Sequence, residues 1–387
     1  MEVMMLELSE RVKAVGFSEI VKIRNQIMEL RAKGAKIFQF EGGEPFLTTP
    51  EYVKEACWKA IQNNYTRYAP SSGIPDLIDS ILKKVNESNH IPAAKENIIV
   101  VNGGAQGLFG SFQSSINPGD DVIVLSPYWT PIRDIIQLCQ GNIVLANIWS
   151  MFAEGVKPVL QQVLTPKTKL IYVNSPHNPA GFMYERSHLQ EIADFAKENN
   201  LIIISDEAYE HITYDTEHVS IASFPGMLER TITVFTFSKS YAMTGWRIGY
   251  TIAPEPYITG LRKITLTSSN GVNTPTQWAA LAAMTTQSDL LEKNVLEYKK
   301  RRDLLINGLC SLGLDCEMSK GAFYAFPNIK KFDTDSWRFS KKILDEAHVA
   351  TVPGLVFGPD GESHLRFSFS TSLETIEQGL ESLKKIL

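Results

Sequence analysis

Cysteine is scarce in this sequence. Only four of its 387 residues are cysteines, and they form neither a CxxC pair nor a cluster with histidine. They are Cys57, Cys139, Cys310 and Cys316. This pattern argues against a disulfide framework or a zinc site and favours reduced, mostly buried thiols. We therefore predict a cytoplasmic protein without a metal site.

Long apolar runs and an excess of positive charge are also lacking. The chain has 38 Lys and Arg against 43 Asp and Glu, which gives a net charge of −5. Without a dense Lys/Arg stripe, nucleic-acid binding is not expected. No apolar run approaches the length needed to span a bilayer. The first residues, MEVMMLELSERVK, carry acidic side chains where a signal peptide needs a positive flank, so we predict no membrane association.

What the sequence does contain is a series of apolar runs separated by helical patterns. The seven runs are NIIVVNGG (97–104), DVIVLSPYW (121–129), GNIVLANI (141–148), KLIYVNSP (169–176), LIIISDEAY (201–209), TITVFTFSK (231–239) and RIGYTIAP (247–254). Near-continuous Val, Ile and Leu is typical of strands buried on both faces. Helical patterns such as SHLQEIADFAKENN (187–200) lie between them. The alternation predicts an α/β fold with a mostly parallel seven-stranded sheet covered by helices.

The pattern changes after about residue 285. A long charged amphipathic helix is predicted over about 288–312, and an α+β segment with a final helix follows it. We therefore predict a large cofactor-binding domain over 46–285 and a smaller α+β domain over 286–387. Residues 1–45 are predicted to form an N-terminal arm that joins the smaller domain.

Polar and glycine-rich segments follow several predicted strands, where open α/β sheets bind ligands. Each has an ordinary explanation when taken alone. The turn NGGAQG (102–107) matches neither G-x-G-x-x-G nor a P-loop, so it is either a tight turn or a cradle for one phosphate. Asp206 alone is explained by helix capping or a solvated strand end, and Trp129 by core packing. His177 and His211 are interpreted as structural.

Together these strand ends match one ligand. They offer a phosphate site, a flat aromatic side chain, a carboxylate, hydroxyl and amide donors, and a lysine. The phosphate site is Gly104, Ala105, Thr236, Ser238 and Arg247. The flat aromatic is Trp129 and the carboxylate is Asp206. The hydroxyl and amide donors are Tyr209 and Asn178, and the lysine is Lys239. The set matches pyridoxal 5′-phosphate, whose aldehyde forms a Schiff base with a lysine and whose ring nitrogen is held protonated by a carboxylate. We therefore predict that Lys239 is covalently attached to this cofactor and that Asp206 strengthens its ring as an electron sink.

Five motifs resemble the class I/II aminotransferases, which have fold type I among pyridoxal-phosphate enzymes, and most of all their aspartate-aminotransferase-like branch. The motifs are GGEP (42–45), YAPSSGIPDL (68–77), NSPHNPAG (174–181), SDEAYE (205–210) and SKSYAMTGWRIGY (238–250). The resemblance runs from about Leu8 to Arg366, which is nearly the whole chain.

The resemblance implies roles for the matching residues. Lys239 is similar to the Schiff-base lysine that also moves the proton between Cα and the cofactor. Asp206 matches the partner of the pyridine nitrogen and, with Lys239 and Tyr209, forms the predicted catalytic set. The remaining cofactor contacts implied are Tyr209 and Asn178 on the ring oxygen, Trp129 stacked on the ring, and Gly104, Ala105, Thr236, Ser238 and Arg247 around the phosphate.

Three more positions are assigned only by the resemblance. Tyr68 is similar to a tyrosine donated to the phosphate across a dimer interface, which implies a homodimer with shared active sites. Arg366 matches the arginine that clamps the substrate α-carboxylate, a task suited to a bidentate guanidinium. Asn178 and the backbone of Gly43 complete the implied substrate contacts.

The function implied is transfer of an amino group from an α-amino acid to a 2-oxo acid in a ping-pong cycle through the pyridoxamine form of the cofactor. The motifs specify the cofactor but leave the fate of the substrate carbanion open. β-Elimination, γ-elimination and oxidative deamination are therefore alternatives. A non-enzymatic ligand sensor is a further alternative, although such regulators usually add a DNA-binding domain.

Substrate side-chain preference depends on less specific features. Family members that act on acidic substrates can carry a lysine where this chain has Ala105. In the N-terminal segment, Phe17 and Ile20 are apolar and favour a neutral or aromatic side chain. Glu19 would attract a cationic side chain, such as that of a basic amino acid, if it faced the pocket. We predict that aromatic or large neutral donors are preferred to aspartate and glutamate.

Overall fold

The computed structural model describes residues 7–16 and 19–387, and its elements follow the predicted alternation. The helices are α1 (Glu10–Lys13), α2 (Glu19–Ala32), α3 (Glu51–Gln62), α4 (Pro75–Glu87), α5 (Gly103–Ser115), α6 (Pro131–Leu138), α7 (Ile148–Glu154), α8 (Val156–Val163), α9 (Arg186–Glu198), α10 (Phe237–Ser240), α11 (Tyr257–Ser269), α12 (Thr274–Thr285), α13 (Leu290–Ser311), α14 (Ser336–Ala347) and α15 (Leu373–Leu383). The strands are β1 (Phe38–Gln39), β2 (Ile98–Val101), β3 (Asp121–Ser126), β4 (Asn142–Asn147), β5 (Thr168–Asn174), β6 (Ile202–Asp206), β7 (Thr231–Thr236), β8 (Gly249–Ile252), β9 (Tyr324–Ala325), β10 (Val349–Ala350), β11 (Val352–Pro353) and β12 (Leu365–Ser368).

The main sheet has seven strands in the order β2-β8-β7-β6-β5-β3-β4. Strands β4, β3, β5, β6 and β7 pair in parallel, whereas β8 is antiparallel to both β7 and β2. Each of the seven predicted runs overlaps one of these strands, and β5 begins one residue before its run. The predicted fold class, a mostly parallel seven-stranded sheet with helices, is confirmed.

Both faces of the main sheet are covered, as the continuous apolar runs require. In β3, Val122 and Val124 belong to one hydrophobic core, and Ile123 and Leu125 belong to another. Successive side chains of a strand point to opposite faces, so β3 contributes to a core on each side. The run 141–148 differs from the prediction, because β4 is an edge strand and most of its residues are only half-buried.

Two small sheets connect the ends of the chain. Strand β1 pairs in parallel with β10, and β11, β12 and β9 form an antiparallel sheet. Phe40, just after β1, packs against Phe367 in β12 with ring centroids 5.6 Å apart. This pairing holds the GGEP segment beside Arg366 of β12. The predicted domain boundaries at 45/46 and 285/286 stay a prediction.

The fold brings four chemically distinct segments to one edge of the main sheet. Strands β2, β5, β6 and β7 run in the same direction, so their carboxyl ends lie at that edge. The N-terminus of α5 follows β2, and Lys239 follows β7 in the short helix α10. Across residues 7–16 and 19–387, no helix combines the length and apolar character needed to cross a membrane.

Candidate active site

A cavity of about 450 Å³ lies at this edge of the sheet, which is a size typical of small-molecule sites. Twelve of the thirteen residues predicted for the site line it. They are Gly43, Gly104, Ala105, Trp129, Asn178, Asp206, Tyr209, Thr236, Ser238, Lys239, Arg247 and Arg366. The remaining residue, Tyr68, lies outside the cavity with 88% of its surface exposed.

Lys239 places its amine inside the cavity. Its Nζ donates a hydrogen bond to the carbonyl oxygen of Gly43 at 2.7 Å. The pKa of Lys239 is lowered to about 8, chiefly by burial and also by the nearby Arg366 guanidinium, whereas Glu44 and Asp206 act in the opposite direction. An amine with this pKa is partly uncharged near neutral pH and can therefore act as a nucleophile or a base.

Asp206, the last residue of β6, is a buried carboxylate with two hydrogen bonds. Its Oδ2 accepts from the Tyr172 hydroxyl at 2.8 Å, and its Oδ1 accepts from the Ala208 backbone N–H at 3.2 Å. Burial raises the pKa of Asp206 to about 6, and the hydrogen bonds from Tyr172 and Ala208 oppose that rise. A cationic ligand group would therefore favour its ionised form.

Arg366 is buried and contacts Asn178, another predicted substrate contact, and the backbone of Glu41. Its Nη1 donates to Oδ1 of Asn178 at 3.0 Å, and its Nη2 donates to the carbonyl oxygen of Glu41 at 2.8 Å. Its guanidinium carbon also lies 4.5 Å from the ring centroid of Tyr324. The Arg366 Nε is buried without a hydrogen-bond partner among the described residues. The guanidinium thus has a donor that a ligand carboxylate could satisfy.

Two tyrosines in the cavity lining are hydrogen-bonded to each other near Lys239. The hydroxyls of Tyr209 and Tyr324 are 2.8 Å apart, and both side chains are buried. Lys239 Nζ lies 5.8 Å from the ring centroid of Tyr209. The hydrogen bond limits where the Tyr209 hydroxyl can point, so Tyr324 positions it.

The part of the cavity beside the N-terminus of α5 is suited to an anion. Helix α5 begins at Gly103, and its first N–H groups and dipole favour negative charge. Gly103 has φ +77°, and a Cβ there would lie 2.5 Å from Nη2 of Arg247, so glycine lets the guanidinium approach the helix N-terminus without strain. Arg247 itself adopts a left-handed backbone with φ +53°, an uncommon conformation for a non-glycine residue that often occurs at functional sites. The hydroxyls of Thr236 and Ser238 line the same region.

A comparison with protein-family models finds the family "Aminotransferase class I and II" over residues 35–383. This chain belongs to that family. It is an aminotransferase, as its motifs predicted, and the family is known to use pyridoxal phosphate.

Relatives of this aminotransferase match nearly the whole chain. The aspartate/prephenate aminotransferase of Thermus thermophilus is 38% identical over 98% of each chain. A solved double mutant of the aspartate aminotransferase of Thermus thermophilus has a TM-score of 0.94 at 37% identity, covering 99% of this chain and 100% of that one. An aromatic aminotransferase from Pyrococcus horikoshii has a TM-score of 0.88 at 35% identity, covering 93% of this chain and 98% of that one. The predicted resemblance to the aspartate-aminotransferase-like branch is confirmed.

Sequence reasoning missed several residues of the aminotransferase cavity. The cavity is also lined by Arg24, Glu41, Glu44, Leu108 and Tyr324. Tyr172 donates a hydrogen bond to Asp206. A tyrosine hydroxyl in the apolar run KLIYVNSP was the one visible signal for Tyr172. Glu41 and Tyr324 gave no local signal, because strand pairing over long sequence separations brings them to the site.

Three residues of the N-terminal segment, Phe17, Glu19 and Ile20, were considered as determinants of the preferred substrate side chain. Phe17 and the side chain of Ile20 lie outside the described residues. Glu19 pairs with Lys22 at 2.7 Å and lines a separate small cavity with Arg133 and Trp337. Glu19 is therefore not one of the residues that line the aminotransferase cavity, and it does not supply the negative charge considered for a cationic substrate.

Proposed function

We propose that this aminotransferase binds pyridoxal 5′-phosphate through Lys239 and transfers amino groups from α-amino acids to 2-oxo acids in a ping-pong cycle. The observation that supports this most strongly is the half-buried Lys239 amine, with its lowered pKa, in one cavity with an anion site and a buried carboxylate. Bound pyridoxal phosphate supplies an aldehyde that condenses with amines and a ring that withdraws electrons from the substrate Cα.

The donor set of the cavity fits this cofactor. The N-terminus of α5, Arg247 and the hydroxyls of Thr236 and Ser238 suit a phosphate, and Gly103 leaves room for them. Asp206 would hold a proton on the ring nitrogen, since a cation beside a buried carboxylate stabilises its charge. Trp129 would stack on the ring, and Tyr209 and Asn178 would donate to its oxygen. Gly104 and Ala105 would contribute backbone N–H groups to the phosphate.

Lys239 has a second proposed task after its amine is released by the incoming substrate. It would remove the proton from the substrate Cα and return it to the cofactor carbon. Its Nζ already lies in the cavity beside Gly43, and burial keeps part of the amine uncharged near neutral pH. Arg366 would bind the substrate α-carboxylate with its free Nε, and Asn178 would keep the guanidinium in place.

The cavity supports donors without a second carboxylate, including the neutral and aromatic amino acids predicted from the sequence. Ala105 supplies no cation at the α5 N-terminus, and Glu41 and Glu44 add negative charge to the lining. In the proposed function Lys239, Arg247 and Arg366 are already engaged, so the exposed Arg24 is the one cation in the described lining left for a second carboxylate. Burying that carboxylate away from a cation would be strongly disfavoured.

Aspartate is a second candidate for the amino donor, and one observation favours it. Arg24 lines the cavity and is a cation that could meet a side-chain carboxylate. Relatives of the chain are named aspartate aminotransferases. Arg24 is exposed, however, so water screens its charge more than that of the buried Glu41.

The half-reaction with an amino donor alone tests this function. Each productive donor should convert the enzyme-bound cofactor stoichiometrically to its pyridoxamine form, followed by absorbance in single-turnover measurements. Phenylalanine and leucine should react roughly tenfold or more faster than aspartate, because binding aspartate would bury a second carboxylate. A tenfold difference in rate corresponds to about 1.4 kcal/mol of transition-state free energy. Arginine belongs in the same panel. Release of ammonia without conversion would indicate elimination or oxidative deamination instead, and aspartate in first place would select the second candidate.

A shared active site is proposed for a homodimer, with Tyr68 of each subunit completing the phosphate site of the other. The strong exposure of Tyr68 within one chain supports this. Mixing inactive Tyr68→Ala and Lys239→Ala subunits should then restore activity, up to about one quarter of the wild-type sites by two-fold symmetry. A mixture of Lys239→Ala with Asp206→Ala is the control and should stay inactive, since neither hybrid site is intact. No recovery after confirmed subunit exchange would contradict a shared site. The cytoplasmic location stays a prediction.

A further inference from the structure

Glu41 carries a buried carboxylate that is only half satisfied. The residue is 6% exposed, and its Oε1 accepts a hydrogen bond from Nε2 of Gln39 at 2.7 Å. Its Oε2 is buried and has no hydrogen-bond partner among residues 7–16 and 19–387. Glu41 also forms no ion pair within that part of the chain. A buried charged oxygen without a partner is costly, so it marks a place where a ligand donor would stabilise the protein.

The position of Glu41 connects it to the substrate. It lines the cavity, and its backbone carbonyl oxygen accepts the 2.8 Å hydrogen bond from Arg366 Nη2. Arg366 Nε is also buried without a partner in the described part of the chain. An unpaired donor and an unpaired acceptor therefore lie on two residues that touch each other. Glu41 therefore lines the same cavity as Arg366, which takes the substrate α-carboxylate in the proposed function.

The charges that line the cavity leave Glu41 uncompensated. In the proposed function, the cofactor and the α-carboxylate engage Lys239, Asp206, Arg247 and Arg366. The other charged side chains in the lining are Arg24, Glu41 and Glu44. Arg24 and Glu44 are exposed to solvent, whereas Glu41 is buried, so the dominant unscreened charge beside the substrate is negative.

We propose that Glu41 is a specificity-determining residue that accepts a hydrogen bond from a cationic nitrogen in the substrate side chain. Among donors without a second carboxylate, those with an ammonium or guanidinium group are then preferred to neutral donors of the same shape. This inference rests on the proposed aminotransferase function and extends it to a substrate class. Hydrogen bonds between charged partners are about twice as strong as neutral ones, which makes the preference measurable.

Matched donor pairs test the role of Glu41. Arginine and citrulline have nearly the same shape but differ in charge, and lysine and norleucine form a second pair. In the wild-type half-reaction, the cationic member of each pair should react roughly tenfold or more faster than the neutral member. In Glu41→Gln this preference should fall by roughly tenfold, whereas rates with citrulline and norleucine should change little. Absorbance of the bound cofactor before donor addition shows that the variant is folded and loaded.

Glu44→Gln is the matched control, because Glu44 lines the same cavity but is exposed. It should keep the wild-type preference for arginine over citrulline. Equal losses for all four donors in Glu41→Gln would overturn the proposal and assign Glu41 to the α-amino group, which every donor shares. A wild-type enzyme that uses norleucine as fast as lysine and citrulline as fast as arginine would overturn it without any variant. If no donor converts the cofactor to its pyridoxamine form, the proposed aminotransferase function itself fails. If donors convert it without a preference for the cationic member of each pair, only the role proposed for Glu41 fails.

Discussion

Lys239→Ala is expected to remove the lysine-linked absorption band of the cofactor and to lower turnover by at least about 10²–10⁴-fold, the range typical for loss of a general base. The expectation follows from the position of Nζ, which is the amine inside the cavity and donates to the Gly43 carbonyl oxygen at 2.7 Å. No other lysine lines the cavity within residues 7–16 and 19–387. Absorbance spectra and steady-state rates measure both effects.

The variant should still fold and bind the cofactor. The anion site at the start of α5 and the carboxylate of Asp206 do not depend on Lys239 for their hydrogen bonds. Binding of pyridoxal phosphate can be followed by equilibrium dialysis, independently of activity. Lys263→Ala, which changes an exposed lysine of α11, is the control and should keep the wild-type spectrum and rate. Near-wild-type turnover in Lys239→Ala would show that the lysine has been assigned wrongly.

Asp206→Ala and Arg366→Lys are expected to separate catalysis from substrate binding. Asp206→Ala should lower kcat by roughly 10²–10³-fold, the size typical of losing one group that stabilises transition-state charge, with a smaller effect on KM. The reason is that a carboxylate on the ring nitrogen acts on the developing carbanion rather than on the bound substrate. Steady-state kinetics with one good donor distinguishes the two parameters.

Arg366→Lys should instead raise KM by roughly 10- to 100-fold, while the cofactor spectrum stays intact. A lysine cannot reproduce the guanidinium geometry that holds Asn178 and the Glu41 carbonyl while leaving Nε for a carboxylate. Arg338→Lys is the matched control and should leave both parameters unchanged, because Arg338 is an exposed arginine of α14 that pairs with Asp333 away from the cavity. Finding the effects of the Asp206 and Arg366 variants exchanged would mean that each has the role proposed for the other.

The predicted elements that agree with the structure depend on local patterns. Each apolar run overlaps a strand of the main sheet because a strand buried on both faces needs apolar side chains on both. The burial of β4 differs because an edge position depends on strand order, which no single run encodes. Strand β8 likewise gives no sign in its own sequence that it lies between β2 and β7 in the antiparallel direction.

The residues predicted to carry the chemistry, among them Lys239, Asp206 and Tyr209, could be picked out from sequence alone because they occur in short motifs at strand ends. Their surroundings follow from how the chain folds. Asp206 receives its hydrogen bond from Tyr172 because β5 and β6 pair in parallel register, and Tyr209 meets Tyr324 across 115 residues. Glu41 reaches the cavity because β1 pairs with β10 and holds the GGEP segment beside Arg366. Burial and long-range pairing control the pKa values and the unpaired atoms of the site, and neither can be read from spacing along the chain.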